Sequence, residues 1–264
     1  MKRKIFLLCL LFIGLYACSS SDSNSDKGNA TVGFYLTDAP SVEGYKSVNI
    51  NIKSVECSVD GQNWIMLDVK PCYVDLLHFS NGKDSLLSNV KFNAGTKVQQ
   101  IRLTLGENNT IVFNNGNIVS LKTPSGQTSG LKFNVQSVAQ LTSGYKIMID
   151  FDASRSIVKQ GNSGSYLLKP VIRAYITANS SAIDGNILPS NIAMRIFMVT
   201  ASNDTISTVS DTLQNNYFKL HGLFSGTYDL KAEDLSTKNI TVIKSGIQIV
   251  GGTDVHLGNL SLEH

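Results

Sequence analysis

The sequence predicts an all-β protein in two parts, an N-terminal antiparallel β-sandwich-like domain and a smaller C-terminal sandwich. Three observations carry this. Apolar and polar residues alternate in run after run beyond residue 30, while the 3.6-residue period of a helix is nearly absent. Turn dipeptides, Asp60-Gly61 and Asn115-Gly116, separate such runs. All five prolines, Pro40, Pro71, Pro124, Pro170 and Pro189, flank the runs, where a missing backbone donor costs no ladder hydrogen bond.

The chain begins differently. Lys2, Arg3 and Lys4 precede an apolar stretch at residues 5–17, too short to span a hydrocarbon core of about 20 residues but suited to a secretory signal. Leu15-Tyr16-Ala17-Cys18 resembles the lipobox of bacterial lipoproteins, which implies cleavage after residue 17 and a lipid on the Cys18 thiol, the side chain most easily alkylated. Residues 18–29 are small, polar and serine-rich, a tether that cannot pack. Ser19 after the cysteine favours the outer membrane by resemblance to Gram-negative sorting rules. Asp22 and Asp26 are only a sparse version of an acidic surface-export signal, so the side of the membrane stays open.

The formal charge of +3, from 23 Lys and Arg against 20 Asp and Glu, resides in those three leading cations. Without them the chain is neutral, which excludes a basic footprint for nucleic acid. Partners are then the membrane, reached through the lipid, and a glycan or another envelope protein.

In the first domain, residues 30–178, apolar positions at Val48, Ile50 and Ile52 change phase to Val55, Cys57 and Val59, which predicts a β-bulge near Ser54. Asp60-Gly61 predicts a tight hairpin into residues 64–67, and the Asn-Asn-Gly at 114–116 another between 110–113 and 118–121. Helical turns are expected at 76–79 and at 152–159, the latter capped by Asp152. Cys57 and Cys72 remain in a compartment that permits disulfides, either as a pair or as two separate half-buried side chains. A break near 178–184 opens the second domain, 183–264, with a long strand at 192–201, a turn at Asn203-Asp204, and Gly226 supplying a left-handed turn before Tyr228 and Leu230.

Two resemblances add to this. The stretch 30–177 is similar to an uncharacterised domain-of-unknown-function family of bacterial lipoproteins, notably from Bacteroidota. It matches through residues 33–40 (Gly-Phe-Tyr-Leu-Thr-Asp-Ala-Pro), Asn81-Gly82, Asp150-Phe151-Asp152-Ala153 with Ser156-Ile157, and residues 169–173 (Lys-Pro-Val-Ile-Arg). That family implies no established activity. Residues 183–262 resemble the carboxypeptidase-regulatory or transthyretin-like, Ig-like sandwich through Ile183-Asp184-Gly185 and the run at 222–230, implying a spacer or binding role.

Few residues suggest chemistry. Asp150 and Asp152 share one side of a strand, about 7 Å apart at Cα, and Asp38 offers a third carboxylate. Three scattered aspartates fall short of the 6–8 oxygens Ca²⁺ takes, so the better reading is structural, with Asp152 as a cap and Asp38 in an Asx turn before Pro40. His78, His221, His256 and His264 form no metal motif, no nucleophile elbow or phosphate loop is present, and no cofactor is implied. The loop 124–130 reads as a flexible crossover rather than an anion cradle. Trp64, Tyr45 and Tyr73 suggest an aromatic platform, but a lone tryptophan in an alternating strand is expected in the core. Ser85, Thr205 and Thr212 stand in Asp-Ser/Thr-apolar triplets that resemble an O-glycosylation signal and suit exposed loops.

The expectation is therefore a lipid-anchored, non-enzymatic module for binding, adhesion or assembly. The rivals are a carboxylate-dependent glycan hydrolase using Asp38, Asp150 or Asp152, and a pilus-like strand-exchange subunit. Convergence of the three aspartates on one cavity is what a hydrolase needs.

Overall fold

The computed structural model describes residues 28–39, 44–123, 129–189 and 191–262. The expected signal, the lipobox with Cys18, the tether up to residue 27, Pro40, residues 124–128 and His264 lie outside them. The described prolines Pro71, Pro170 and Pro189 all stand between strands.

The first body runs β1 (Asn29–Ala39), β2 (Tyr45–Ser58), β3 (Ile65–Met66), β4 (Cys72–Asp75), a 3₁₀ turn (Leu76–Phe79), β5 (Ser85–Asn93) and β6 (Gln100–Leu105). It continues with β7 (Thr110–Phe113), β8 (Ile118–Lys122), β9 (Leu131–Gln136), β10 (Lys146–Asp152), the one-turn helix α1 (Ala153–Ser156), β11 (Ile157–Lys159), β12 (Tyr166–Leu168) and β13 (Ile172–Ile176). These strands form one folded path in the order β11-β12-β8-β7-β2-β6-β9-β13-β10-β1-β5, with β3 and β4 on β2. Alternate residues of β1, β2, β6 and β10, among them Phe34, Ile50, Leu103 and Phe151, meet in one core, so the path closes on itself as two layers.

The predicted phase change in β2 is present: buried positions pass from Val48, Ile50 and Ile52 to Val55 and Cys57. The ladder with β6 slips between Ile52 and Ser54, close to where β2 exchanges β7 for β6 as its partner on that edge. One bulge therefore keeps the apolar side inward while the strand changes neighbours. Both helical turns form, capped by Asp75 and Asp152, whose carboxylates accept from the N–H groups of Leu77 and Arg155. The second is shorter than its expected span, since residues 157–159 are strand β11. Asp60 organises a wider loop than a two-residue hairpin, its Oδ1 accepting from the N–H groups of Gln62 and Asn63 and from Ser58 Oγ.

The second body follows a 3₁₀ turn (Thr177–Asn179). Its strands are β14 (Ser181–Leu188), β15 (Met194–Val199), β16 (Thr205–Val209), β17 (Tyr217–Leu223), β18 (Gly226–Asp234), β19 (Ile240–Ile249) and β20 (Val255–Ser261). A three-stranded sheet, β17-β14-β20, faces a four-stranded one, β16-β15-β18-β19, around a separate core that includes Ile183, Phe218 and Leu230. Tyr228 and Leu230 share the buried face, as expected. The left-handed glycine is Gly222, with φ +68°, not Gly226. An added Cβ at Gly222 would stand 2.6 Å from the Tyr175 ring, so the glycine is required by a close approach between the two bodies.

The protein is all-β, as predicted. Antiparallel ladders dominate, yet β1–β10, β9–β13, β8–β12 and β14–β20 pair in parallel. Alternation cannot reveal this, because both ladder types repeat every two residues.

The Cys57–Cys72 pair does not form. Cys72 lies opposite Ile52, five residues along β2 from Cys57, which is about 17 Å of strand against a limit near 7 Å for a disulfide. Burial pushes the Cys57 thiol up to about 12. In protein denatured without reductant both thiols should react with a maleimide, whereas in the native state Cys57 should be protected; peptides linked by a Cys57–Cys72 bond would refute the placement.

Candidate functional site at the junction of the two bodies

Strand β10 reads Lys-Ile-Met-Ile-Asp-Phe-Asp and is buried from its second residue onward. Ile147, Ile149 and Phe151 enter the first core, so Met148, Asp150 and Asp152 occupy the opposite face. On the neighbouring β13, Ala174 and Ile176 enter that core, which places Arg173 and Tyr175 with the aspartates, and Arg173 is registered directly opposite Asp150. This second face is covered by the second body.

Three side chains of the first body bind the second. Arg173 donates through Nε to Asp150 Oδ2 at 2.8 Å, through Nη2 to the His221 carbonyl at 2.7 Å and through Nη1 to the Gly222 carbonyl at 2.9 Å. Arg155 donates to Asp152 at 2.6 Å and to Asp204 at 2.7 Å. Asn81, left-handed at φ 53°, donates to the Val209 carbonyl and accepts from Thr208 Oγ1 and from the Lys219 N–H.

Electrostatics follow from burial. Desolvation raises the Asp150 carboxyl above its ordinary range, with Arg173 pulling it back. Asp38 is raised further: it is buried, its Oδ1 accepts only from the Ala153 N–H, and Asp150, Asp152 and Asp75 all oppose its ionisation. Its Oδ2 has no partner, and neither has Nε2 of His221 across the same gap. Burial, with Lys219 nearby, pushes His221 down to about 4, so it is neutral at physiological pH. Burial would also raise Asp204, but its hydrogen bond to Arg155 holds it below the ordinary value.

The three predicted aspartates therefore gather at one end of β1 and β10 without sharing a substrate-sized space. Asp38 and Asp150 line a cavity of about 20 Å³, and Asp150 and Asp152 line one of about 30 Å³, each near the volume of a single water. Asp152 caps α1 as expected; Asp38 is not in an Asx turn but within β1, bonded to a residue 115 positions away. Among the described residues no group of three or more His, Cys, Asp or Glu is placed to hold a metal ion, the three aspartates included.

The remaining candidates are dispersed. Trp64 is half-buried at the surface rather than in the core, with the Arg102 guanidinium 4.4 Å from its ring centroid and Arg102 in turn held by Glu56. Tyr45 packs on Phe113 and Tyr73 is 60% exposed, so no aromatic platform forms. Ser85 and Thr205 begin strands and are half-buried, Thr205 at the junction itself; Thr212 is exposed. Wider clefts of about 460 and 330 Å³ open along the junction.

A family model described as a domain of unknown function, DUF4382, matches residues 29–170, more than half of the chain. The chain belongs to that family. The DUF4382 match takes in Asp38, Asn81, Asp150, Asp152 and Arg155, and it ends just before β13 brings in Arg173. No curated protein matches. Solved structures similar to the chain include the Bacillus anthracis TIE protein, at 9% identity and TM-score 0.26, with 89% of this chain and 34% of that one covered. They also include BcpA, the major pilin subunit of Bacillus cereus, at 9% identity and TM-score 0.21, covering 89% and 71%. A fimbrial protein from Bacteroides ovatus matches at 8% identity and TM-score 0.20, covering 88% and 50%. The chain spans about a third of the length of the TIE protein.

Two outcomes test the junction. Arg173→Met should cost about 3–5 kcal/mol in denaturant unfolding by leaving Asp150 buried and unpaired, and adding Asp150→Leu should recover most of that loss. His221, whose folded value of about 4 lies below the ordinary 6.5, contributes stability that is complete above pH 6.5 and lost as pH falls toward 4. Lys219, Arg173, Asp254 and Asp184 are the charges acting on it. Stability–pH curves of the wild type and His221→Gln should therefore diverge across that window; parallel curves would show that the imidazole is not held neutral.

Proposed function

We propose that this chain is a lipid-anchored cell-envelope protein of the outer membrane whose two β bodies act together as a non-enzymatic binding or assembly module. The observation that carries the reading is the commitment of the acidic residues. Asp150 is paired with Arg173 and Asp152 with the α1 N-terminus and Arg155, while Asp38 is bonded through Oδ1 to the Ala153 N–H and its unpartnered Oδ2 faces only a gap of about 20 Å³. A glycan hydrolase needs one carboxyl free to donate a proton and another free to attack or to activate water, on either side of a substrate-sized space. Here the carboxylates surround cavities of about 20 and 30 Å³. Such an arrangement favours holding over turnover.

The anchoring half of the proposal rests on Leu15-Tyr16-Ala17-Cys18 and the serine-rich stretch behind it. Attachment through lipid leaves the protein body free to present a surface to a glycan or to another envelope protein, with the net-neutral body adding no electrostatic pull toward anionic lipid.

In cells fed an alkyne-bearing palmitate analogue, the wild type should take up label and sediment with the outer membrane, and Cys18→Ala should do neither. The purified protein should release no reducing ends from cell-envelope polysaccharides, and Asp150→Asn should change nothing in that assay. Turnover that Asp150→Asn abolishes would overturn the non-enzymatic reading.

A further inference from the structure

An opening of about 460 Å³ beside the junction lies within the size range of small-ligand sites, about 300–1,000 Å³. Its walls come from both bodies: Gln136 and Ser137 at the end of β9, and Thr200, Ser202, Asp204, Phe224 and Tyr228 from the second body. Arg173 and Asp204 are the charged side chains among its described lining residues; Arg173 is matched by Asp150, and Asp204 shares the Arg155 guanidinium with Asp152. Arg173 is held by Asp150 and two carbonyls, while Asp204 is held by Arg155 and the Thr205 N–H. An anionic ligand would therefore meet no free cation and would lose its own hydration without recompense.

The other polar groups of the cleft are neutral. Among the described residues the Gln136 amide and the Ser137 hydroxyl find no hydrogen-bond partner, Gln136 being half-buried and Ser137 exposed at the rim. Ser137 holds φ +52°, a left-handed conformation that a serine rarely adopts, while its carbonyl is fixed by Asn179. The Ser202 hydroxyl is shared with Thr200 Oγ1 at 3.0 Å, and Phe224, Ile206 and Tyr228 form an apolar wall, with the Tyr228 hydroxyl bonded to the Phe224 carbonyl at 3.0 Å. Free amide and hydroxyl groups facing an apolar, partly aromatic wall complement a molecule with hydroxyls on its rim and C–H groups on its face. The geometry points to a site for a neutral saccharide of one or two rings in this cleft, with Gln136 and Ser137 taking its hydroxyls and Phe224 its apolar face. This rests on the reading of the chain as a binding module and names the ligand class for it.

The full-length protein, in a detergent without a sugar head group, is applied to an array of neutral and acidic mono- and disaccharides. The best neutral sugar is then titrated by calorimetry. A neutral saccharide should bind, Gln136→Ala and Phe224→Leu should each weaken it about tenfold, and Tyr73→Ser, exposed on β4 and outside the lining of the cleft, should leave it unchanged. Unaltered thermal unfolding of each variant shows that it is folded. Absence of binding to any neutral sugar, preference for acidic ones, or indifference to both cleft substitutions would overturn the proposal. Lipid labelling at Cys18 and the absence of turnover are read separately, so the cleft can fail while the anchored module stands.

Discussion

A charge carried into an apolar sheet interior must be matched there, and the architecture of the junction depends on that requirement. Asp150 sits in a strand buried on both faces, where an isolated carboxylate would cost several kcal/mol. Arg173, opposite it on β13, supplies the match, and a guanidinium has more donors than one carboxylate oxygen can use. The surplus goes to the carbonyls of His221 and Gly222 on β17. The same side chain therefore neutralises the interior of the first body and fixes the second one against it. Gly222 belongs to this arrangement: only a residue without Cβ lets the β17 backbone come close enough to Tyr175 for its carbonyl to meet Arg173.

Much of the fold was legible because it is written in local patterns. The phase change in β2 required a bulge, and Asp152 offered a cap to the turn that follows it; each of these depends on a few adjacent residues. Pairing partners are a different matter. Strand β1 lies beside β10, more than a hundred residues away, and alternation is blind both to that choice and to its parallel sense. The misplaced left-handed turn has the same origin, because Gly222 is set by a neighbour in the other body and Gly226 only by a local motif.

At the candidate site the sequence drew attention to the aspartates and passed over their partners. Asp38, Asp150 and Asp152 stood out as potential acids, whereas Arg173, Arg155 and Asn81 looked like ordinary members of a matching segment. A signal was nonetheless present: Arg173 interrupts the apolar run Val-Ile-Arg-Ala-Tyr-Ile as Asp150 interrupts Ile-Met-Ile-Asp-Phe, and two opposite charges in doubly apolar strands seek each other. Trp64 misled for a related reason. Alternation placed it on a strand face, but the Arg102–Glu56 pair supplies a polar cover that lets a large ring rest at the surface.

The polar character of the junction also bears on what lies beside it. Two bodies joined by apolar contact alone can slide, since dispersion has little directional preference, whereas hydrogen bonds from Arg173, Arg155 and Asn81 specify one orientation. The clefts along such a junction then keep a defined shape, which is the condition for a site that is largely formed before its ligand arrives. The bonds that create this definition also engage the guanidinium groups nearest the cleft of about 460 Å³, so no free cation remains there and a ligand meets amide, hydroxyl and ring. Orientation and ligand preference are in this way two consequences of one set of ion pairs.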